Sequence, residues 1–496
     1  MSPIRFENFY FGMTDSRNEA AENAREFTST FVDLDGAVKA IIGGSRFMVL
    51  GPKGTGKSAI AWYLALTSEA GAHIAKVRDA STLPITEIPK VATGQQDGFE
   101  RSTTAWKFLL LCNFLQLLLS DEACSLNRNP EVVRVAKHLR KYGFMDDAAG
   151  KAILSASKVT VNIPIPKVGN IYTRERTDAV SIYNLIPYLE DWVNSAESSS
   201  RQILIIDGLD SILLNDAKYD QSIASLIQAA YLLNQRFREH RATGSIVLLV
   251  RNDVFARVSS YLPDSQKYRD DLAVEMDWRV LGGAQGTRSP LLAIANRKAA
   301  FAVDADEVDV LSYLPSHVSD GTRKVPILQY LLNLTRHTPR DLLKLLDSIR
   351  ETASSGIFDP SGPVVPEDCV KEGALRYCNR YFEGAIRNEF AGFGGLESGA
   401  VALEALRNLR KGKFEAHEFE LELRTAGPGR SASGGSSELL RLLFFAGAIG
   451  NLVPRAPGKE SYMQFFHRRD ATNVYLRGPL IVHDALRHAW SLPRAH

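Results

Sequence analysis

The run RFMVL–GPKGTGKS–AIAWYLALT, Arg46 to Thr67, decides the architecture. An apolar pentapeptide feeds a loop with glycine at 51, 54 and 56, and a helical pattern leaves it. Gly51 to Ser58 matches G-x-x-x-x-G-K-[ST] at every fixed position. Glycines without a Cβ let successive backbone N–H groups converge on one point. The helix that follows adds the partial positive charge of its N-terminus. Gly51, Pro52, Lys53, Gly54, Thr55, Gly56, Lys57, Ser58 and Ala59 are therefore expected to cradle the phosphates of ATP. Lys57 is expected to reach the β- and γ-phosphates, and the Ser58 hydroxyl to ligate Mg2+.

Working outward, short β-rich runs alternate with longer helical patterns, as in a parallel sheet covered by helices. The runs are Arg46–Leu50, His73–Val77, Gln202–Ile206 and Ile246–Val250, with a fifth candidate at Leu272–Trp278. QILII and IVLLV are almost wholly apolar, as strands buried on both faces should be. Between the second and third runs lies an insert at about 95–185. It holds an apolar helix, Arg101–Ser120, and an expected edge hairpin, Lys158–Tyr172, marked by two prolines.

Three further signals carry chemistry. QILIIDGLD, Gln202–Asp210, is an apolar strand ending in an acid downstream of the glycine-rich loop. Asp207 is expected in the Mg2+ shell. Asp210 either orients the attacking water or caps the turn at Ser211–Leu214. Arg251 and Asn252 follow IVLLV, at the strand end where α/β sheets bind ligands. Arg251 contacts a γ-phosphate in one reading and pairs with Asp253 or another acid in the other. TRHTPRDLLKLL, Thr335–Leu346, starts a helix at Pro339 with Arg340 in its first turn. A cation is electrostatically unfavourable there, which favours a functional role, such as contact with a γ-phosphate.

Composition excludes several classes. The chain has 496 residues, 45% hydrophobic and 23% charged, with a net charge of +2. Disordered and collagen-like readings are out, and no global field draws it to nucleic acid or an anionic surface. Cys112, Cys124, Cys369 and Cys378 lack CxxC spacing, so zinc is not expected and a reducing cytosol is. The N-terminus shows no signal-peptide core. The longest apolar stretch, Ala105–Leu119, carries Lys107, Asn113 and Gln116 and is short for a membrane span, so a buried helix and a cytoplasmic protein are expected.

Together these motifs resemble the AAA+/STAND ATPases, including their origin-recognition-like and NACHT-like branches. The chain is most similar to a bacterial family of stand-alone P-loop ATPases associated with phage-defence loci. FGMTD (Phe11–Asp15), FVD (Phe31–Asp33), GAIGN (Gly447–Asn451) and IVHDALR (Ile481–Arg487) carry that similarity. It implies an α/β P-loop core over 1–285, a helical lid over 286–360, and a helical linker and winged helix over 361–496. It further implies an ATP-hydrolysing switch that forms a homo-oligomer and acts with a separate effector protein. Lys267 and Arg269 occupy the stretch where a ring subunit offers an arginine finger to its neighbour. Asp210 is followed by Ser211, where an acid is common, which leaves the hydrolysis rate open.

The C-terminal segment poses the alternative of a DNA-handling ATPase. Residues 441–496 carry eight Lys/Arg against three Asp/Glu, and His467, Arg468 and Arg469 fall at the expected wing, where phosphates are contacted without regard to sequence. Yet SELLRLLFFAG, Ser437–Gly447, offers only Glu438 and Arg441 to bases, so a packing role for this helix is expected. A third alternative is a scaffold that binds ATP with little hydrolysis. No HExxH or other effector motif is present.

Overall fold

The computed structural model describes residues 4–88, 98–145, 182–209, 217–279, 289–321, 323–358, 362–393, 396–425, 435–454, 461–468 and 473–493. Two compact units share the chain discontinuously. One comprises Asp35–Gly51 and Lys57–Met276; the other comprises Met1–Leu34, Pro52–Gly56 and Asp277–His496. The sequence assigns residues 1–34 to the sheet domain, but they group with the C-terminal half.

The first unit is an α/β layer structure on five parallel strands: β1 Met48–Gly51, β2 His73–Asp79, β3 Arg201–Asp207, β4 Gly244–Arg251 and β5 Ala273–Glu275. Their order is β2-β3-β4-β1-β5. The apolar runs of β3 and β4 are buried throughout, as expected for strands covered on both faces. Met48, Leu50, Leu204, Ile206, Ile246, Leu248 and Val250 join one core with the helices Gly98–Ser120 and Ala217–Glu239. The alternate residues Val49, Ile203, Ile205, Val247 and Leu249 are equally buried and face the other way. The helix Lys57–Leu66 packs on β1, β2 and β3, and its buried Ile60, Ala61 and Leu64 lie outside that core, so it covers the opposite face.

The helix Gly98–Ser120 is long and apolar enough to span a membrane, but most of it is buried in this unit. Its polar residues are used within the fold. Asn113 accepts from Arg78 at 2.7 Å, Gln116 accepts from Lys76 at 3.2 Å, and Lys107 lies 3.8 Å from Glu190. The hairpin expected at 158–172 lies outside the described residues. The fifth strand is shorter than the sequence suggests: Leu272 still belongs to the helix Ser265–Leu272, and the strand ends at Glu275, before Met276–Trp278.

In the second unit, the aromatic rings of Phe6, Phe9 and Phe11 cluster with Tyr313, Phe9 meeting Tyr313 at 4.9 Å. Glu19 of the helix Ser16–Glu22 forms a buried ion pair with Lys298 of the helix Pro290–Ala302. These contacts bring the N-terminal 34 residues to this unit. The stretch 290–355, within the helical lid expected over 286–360, is not wholly helical. Besides the helices Pro290–Ala302, Ile327–Asn333 and Pro339–Ala353, it contains an antiparallel hairpin, β6 His317–Asp320 with β7 Arg323–Pro326. The Asp320-Gly321 step is a tight-turn signal that outweighs the helical pattern.

The helix Glu367–Tyr377 continues through a π-helical turn, Cys378–Phe382, into the helix Glu383–Phe393. Three helices follow, Leu396–Asn408, Ala416–Thr425 and Ser436–Phe445, with an antiparallel sheet of order β10-β9-β11-β8. Its strands are β8 Lys413–Phe414, β9 Ile449–Val453, β10 Tyr462–Gln464 and β11 Leu480–Val482. The pattern over Ile481–Ser491 predicts a final helix that begins at Ile481. Leu480–Val482 instead pairs with β9 and β8, and the helix runs from Asp484 to Ala489. The helix Ser436–Phe445 buries Leu439, Leu440, Leu442, Leu443 and Phe444, as its composition implies.

One polar side chain completes the central sheet. Opposite β4, β1 begins only at Met48, which pairs with Leu248. The two backbone groups of Ile246 are bonded instead by Asn234, whose Oδ1 accepts at 3.0 Å and whose Nδ2 donates at 2.8 Å. Asn234→Leu keeps the volume and removes both partners. At about 1–3 kcal/mol for each of the two buried groups left unmade, the variant is expected to lose about 2–6 kcal/mol in denaturant unfolding; a loss below 1 kcal/mol would contradict this role.

Candidate functional site

In the sheet unit, β1 delivers Gly51 to the C-terminal edge, in register with Arg251 of β4. From β1 the chain passes to the helix Lys57–Leu66 on one face. From β4 it passes to the helix Asn252–Val258, which packs on the Ala217–Glu239 helix of the other face. Adjacent strands whose connections diverge leave a crevice at their C-terminal ends, the usual ligand site of open α/β sheets. β4 separates β1 from β3, so Asp207 ends the next strand along the same edge.

Lys57 is the first residue of its helix, and its Nζ donates to the Gly51 carbonyl at 2.9 Å. The ammonium is thus folded back over the loop it closes. The first N–H groups of this helix have no intrahelical acceptor, and Ser58 belongs to that first turn. Asp207 accepts from the Gly208 N–H at 2.8 Å and lies in register with Asp79 at the end of β2. Asp210 and the turn at 211–214 lie outside the described residues.

Arg251 is buried, and its guanidinium grips the Asp253 carboxylate with two bonds of 2.9 and 2.8 Å. Of the two readings of Arg251, the pairing with Asp253 is the contact present. Asp253 occupies the first turn of its helix, where an acid is favoured. Beside it, the Asn252 Oδ1 is buried without a hydrogen-bond partner. Arg269 lies in the helix Ser265–Leu272, and its Nε donates to Glu275 at 2.8 Å. It lines an open pocket of about 200 Å³ with Asn252, Ser259 and Gln266. Lys267 donates to the Tyr231 hydroxyl at 3.3 Å and lies over its ring.

Residues Pro52–Gly56 group with the other unit, and the reason is local. The Arg340 N–H points to the Gly54 carbonyl at 3.4 Å, and the Trp278 indole N–H donates to the Thr55 carbonyl at 2.8 Å. Thr55 Oγ1 closes the loop on the Pro52 carbonyl at 2.9 Å. Arg340 lies in the first turn of the Pro339–Ala353 helix, capped by Thr338, which accepts from the Asp341 N–H. Trp278 and Thr338 are site residues that the motif reading misses. Thr338-Pro339 was legible as a helix-start signal; nothing near Trp278 marks it.

The FGMTD segment lies beside the same helix. Gly12 (φ +86°) faces the buried Glu19–Lys298 pair, and a Cβ there would come within 2.9 Å of Lys298 Nζ. Asp15 caps the Ser16–Glu22 helix at 2.8 Å. An open pocket of about 320 Å³ is lined by Gly12, Thr14, Asp15, Asn18, Arg340 and Lys344. The other quoted segments have structural partners. Arg297 donates to the Phe31 carbonyl at 2.7 Å, Asn451 bonds Asn473 and Tyr475, and Arg487 joins Asp484 to Asp320.

At the expected wing, Arg468 is half-buried. Its guanidinium lies 4.8 Å from the Phe465 ring centre and donates to Asn333 at 3.4 Å. Arg469 lies outside the described residues. Among the described residues, no group of three or more His, Cys, Asp or Glu side chains could hold a metal. Mg2+ needs no such group, since it takes one or two protein oxygens and keeps water in its shell.

No protein-family model matches the chain, and no curated protein matches it in sequence.

Gly54 is the residue on which the loop contact turns. Its φ is +82°, and a Cβ there would meet Arg340 Cβ at 3.2 Å and Thr338 Oγ1 at 3.3 Å. Gly54→Ala is expected to destabilise the protein by at least the ~1–2 kcal/mol of a left-handed non-glycine residue. Thermal unfolding tests this; an unchanged midpoint would contradict the contact.

Proposed function

We propose that the protein is an ATP-binding and ATP-hydrolysing switch built on a P-loop core with a helical lid and a winged-helix C-terminal region. The observation that carries this reading is the Gly51–Ser58 segment itself. It matches the phosphate-binding pattern at every fixed position, and it stands at the C-terminal edge of a parallel sheet where two connections diverge.

In this reading the loop N–H groups and the helix N-terminus bind the β- and γ-phosphates, and Lys57 exchanges its Gly51 acceptor for phosphate oxygens. The donors suit Mg2+: a hydroxyl at Ser58 and a carboxylate at Asp207 are hard oxygen ligands. When bound, Mg2+ neutralises charge on the β- and γ-phosphates. Water attacks the γ-phosphorus, the bond to the β-bridging oxygen breaks, and ADP and phosphate form. Asp210 is assigned the orientation of that water, and Arg340 the charge on the γ-phosphate. Arg251 would have to exchange Asp253 for phosphate to play such a part. Arg269 is the candidate for action on a neighbouring subunit and would likewise have to leave Glu275.

The resemblance adds a homo-oligomer and a separate effector protein in phage defence. Two features weigh against the DNA-handling alternative: the Ser436–Phe445 helix is buried, and Arg468 is engaged with Phe465 and Asn333.

Lys57→Ala is expected to weaken ATP binding at least tenfold, which is ~1.4 kcal/mol. Unchanged affinity in calorimetry would refute the phosphate-binding role. In the same assay Asp210→Asn should retain ATP while turnover falls; turnover at the parent rate would reduce Asp210 to a capping residue.

A further inference from the structure

The turn that touches Gly54 is held from behind by a buried charged cluster. Arg336 spans Asp341 with Nε and Nη2 at 2.8 and 2.9 Å, and its backbone N–H donates to the same carboxylate at 3.0 Å. Its remaining arm, Nη1, reaches Glu389 at 2.9 Å. Tyr381 adds its hydroxyl to Asp341 Oδ1 at 3.1 Å. Asp341 is fully buried, and Arg336 and Glu389 nearly so.

Burial alone would push the Asp341 carboxyl up, but the Arg336 charge and the donated bonds hold it below the usual carboxylate range. The cluster is therefore charged and fixed in direction. Asp341 is in turn the residue whose N–H bonds the Thr338 cap, one step from Arg340 and Gly54.

Each outer member of the cluster comes from the C-terminal part of the chain. Glu389 is on the helix Glu383–Phe393. Tyr381 is on the π-helical turn Cys378–Phe382, an irregularity that recurs at functional sites and aims a side chain a regular helix would direct elsewhere. Arg336 lies 5.7 Å from the Phe382 ring centre, and Phe382 stacks on His483 at 4.6 Å. Gly447, the first residue of GAIGN, packs against Arg336 and His467.

We propose that Arg336, Tyr381 and Glu389 are positioning residues for the glycine-rich loop. They set the 336–340 turn, the turn sets Gly54, and any movement of the π-turn or the Glu383–Phe393 helix is thereby transmitted to residues 52–56. The coupling stands on geometry alone; its consequence, control of ATP affinity from the C-terminal part of the chain, rests on the proposed function.

The test is hydrogen exchange of the full chain, followed at peptides covering Lys53–Lys57 and Pro339–Ala353. Tyr381→Phe deletes one bond to a buried charge. Tyr377→Phe is the control, because the Tyr377 hydroxyl is buried without a hydrogen-bond partner four residues away. Exchange at Lys53–Lys57 is expected to rise about tenfold in Tyr381→Phe, as for loss of a charge-assisted bond, and to stay at the parent level in Tyr377→Phe. Arg336→Lys, which keeps the charge and loses the two-pronged grip, should give a rise at least as large. Faster exchange confined to Pro339–Ala353, or an equal rise in both tyrosine variants, would overturn the coupling. ATP titrated in the same experiment separates the two readings. If ATP protects the loop in neither parent nor variant, the nucleotide reading falls, while the ligand-free comparison still decides the coupling.

Discussion

Gly51 and Arg251 end two neighbouring parallel strands in register, and the chain leaves them toward opposite faces of the sheet. The functional geometry of the sheet unit depends on that divergence. It leaves a crevice at the C-terminal ends of β1 and β4, the usual ligand site of open α/β sheets. The divergence is in turn secured by burial. β3 and β4 are apolar on both faces, and a one-residue slip of either would exchange two complete sets of core side chains. Asn234 marks where β1 pairing stops and gives Ile246 the partners that β1 cannot.

The glycine-rich segment has a second set of constraints from within the other unit. Trp278 holds the Thr55 carbonyl, and the Thr338–Arg340 turn lies against Gly54. Both contacts fall on backbone carbonyls of the loop. The turn itself is rigid because Arg336 and Asp341 are buried and mutually bonded. A buried ion pair of this kind is weak evidence for stability but fixes direction, since leaving either partner alone is costly. Arg251 with Asp253 is a second such pair, at the sheet edge.

Much of this was legible in the residues. The four main strands, the apolar Gly98–Ser120 helix, the helix that starts at Pro339 and the buried Ser436–Phe445 helix all follow from period, length and cap chemistry. The failures have physical causes. β6 and β7 were hidden because alternation over four residues is weaker than the helical pattern around it, although Asp320-Gly321 was there to be read. Leu480–Val482 became a strand because β9 and β8 offer it partners, which is tertiary information. The migration of residues 1–34 rests on aromatic contacts and one buried ion pair with residues some 280 positions away, and no local pattern reports them. At the site, the loop and Asp207 stand out by residue type and order. Trp278, Tyr381 and Glu389 do not, because what defines each is a partner distant in sequence: Thr55, Asp341 and Arg336.

The most direct measurement is a structure of the full chain with Mg2+ and a slowly hydrolysed ATP analogue. A phosphate-binding loop requires the β- and γ-phosphates on the N–H groups of residues 53–58, with Lys57 Nζ transferred from the Gly51 carbonyl to phosphate oxygens and Asp207 facing the metal shell. Nucleotide bound elsewhere, or Lys57 still bonded to Gly51 beneath an empty loop at saturating analogue, would contradict the nucleotide-switch reading.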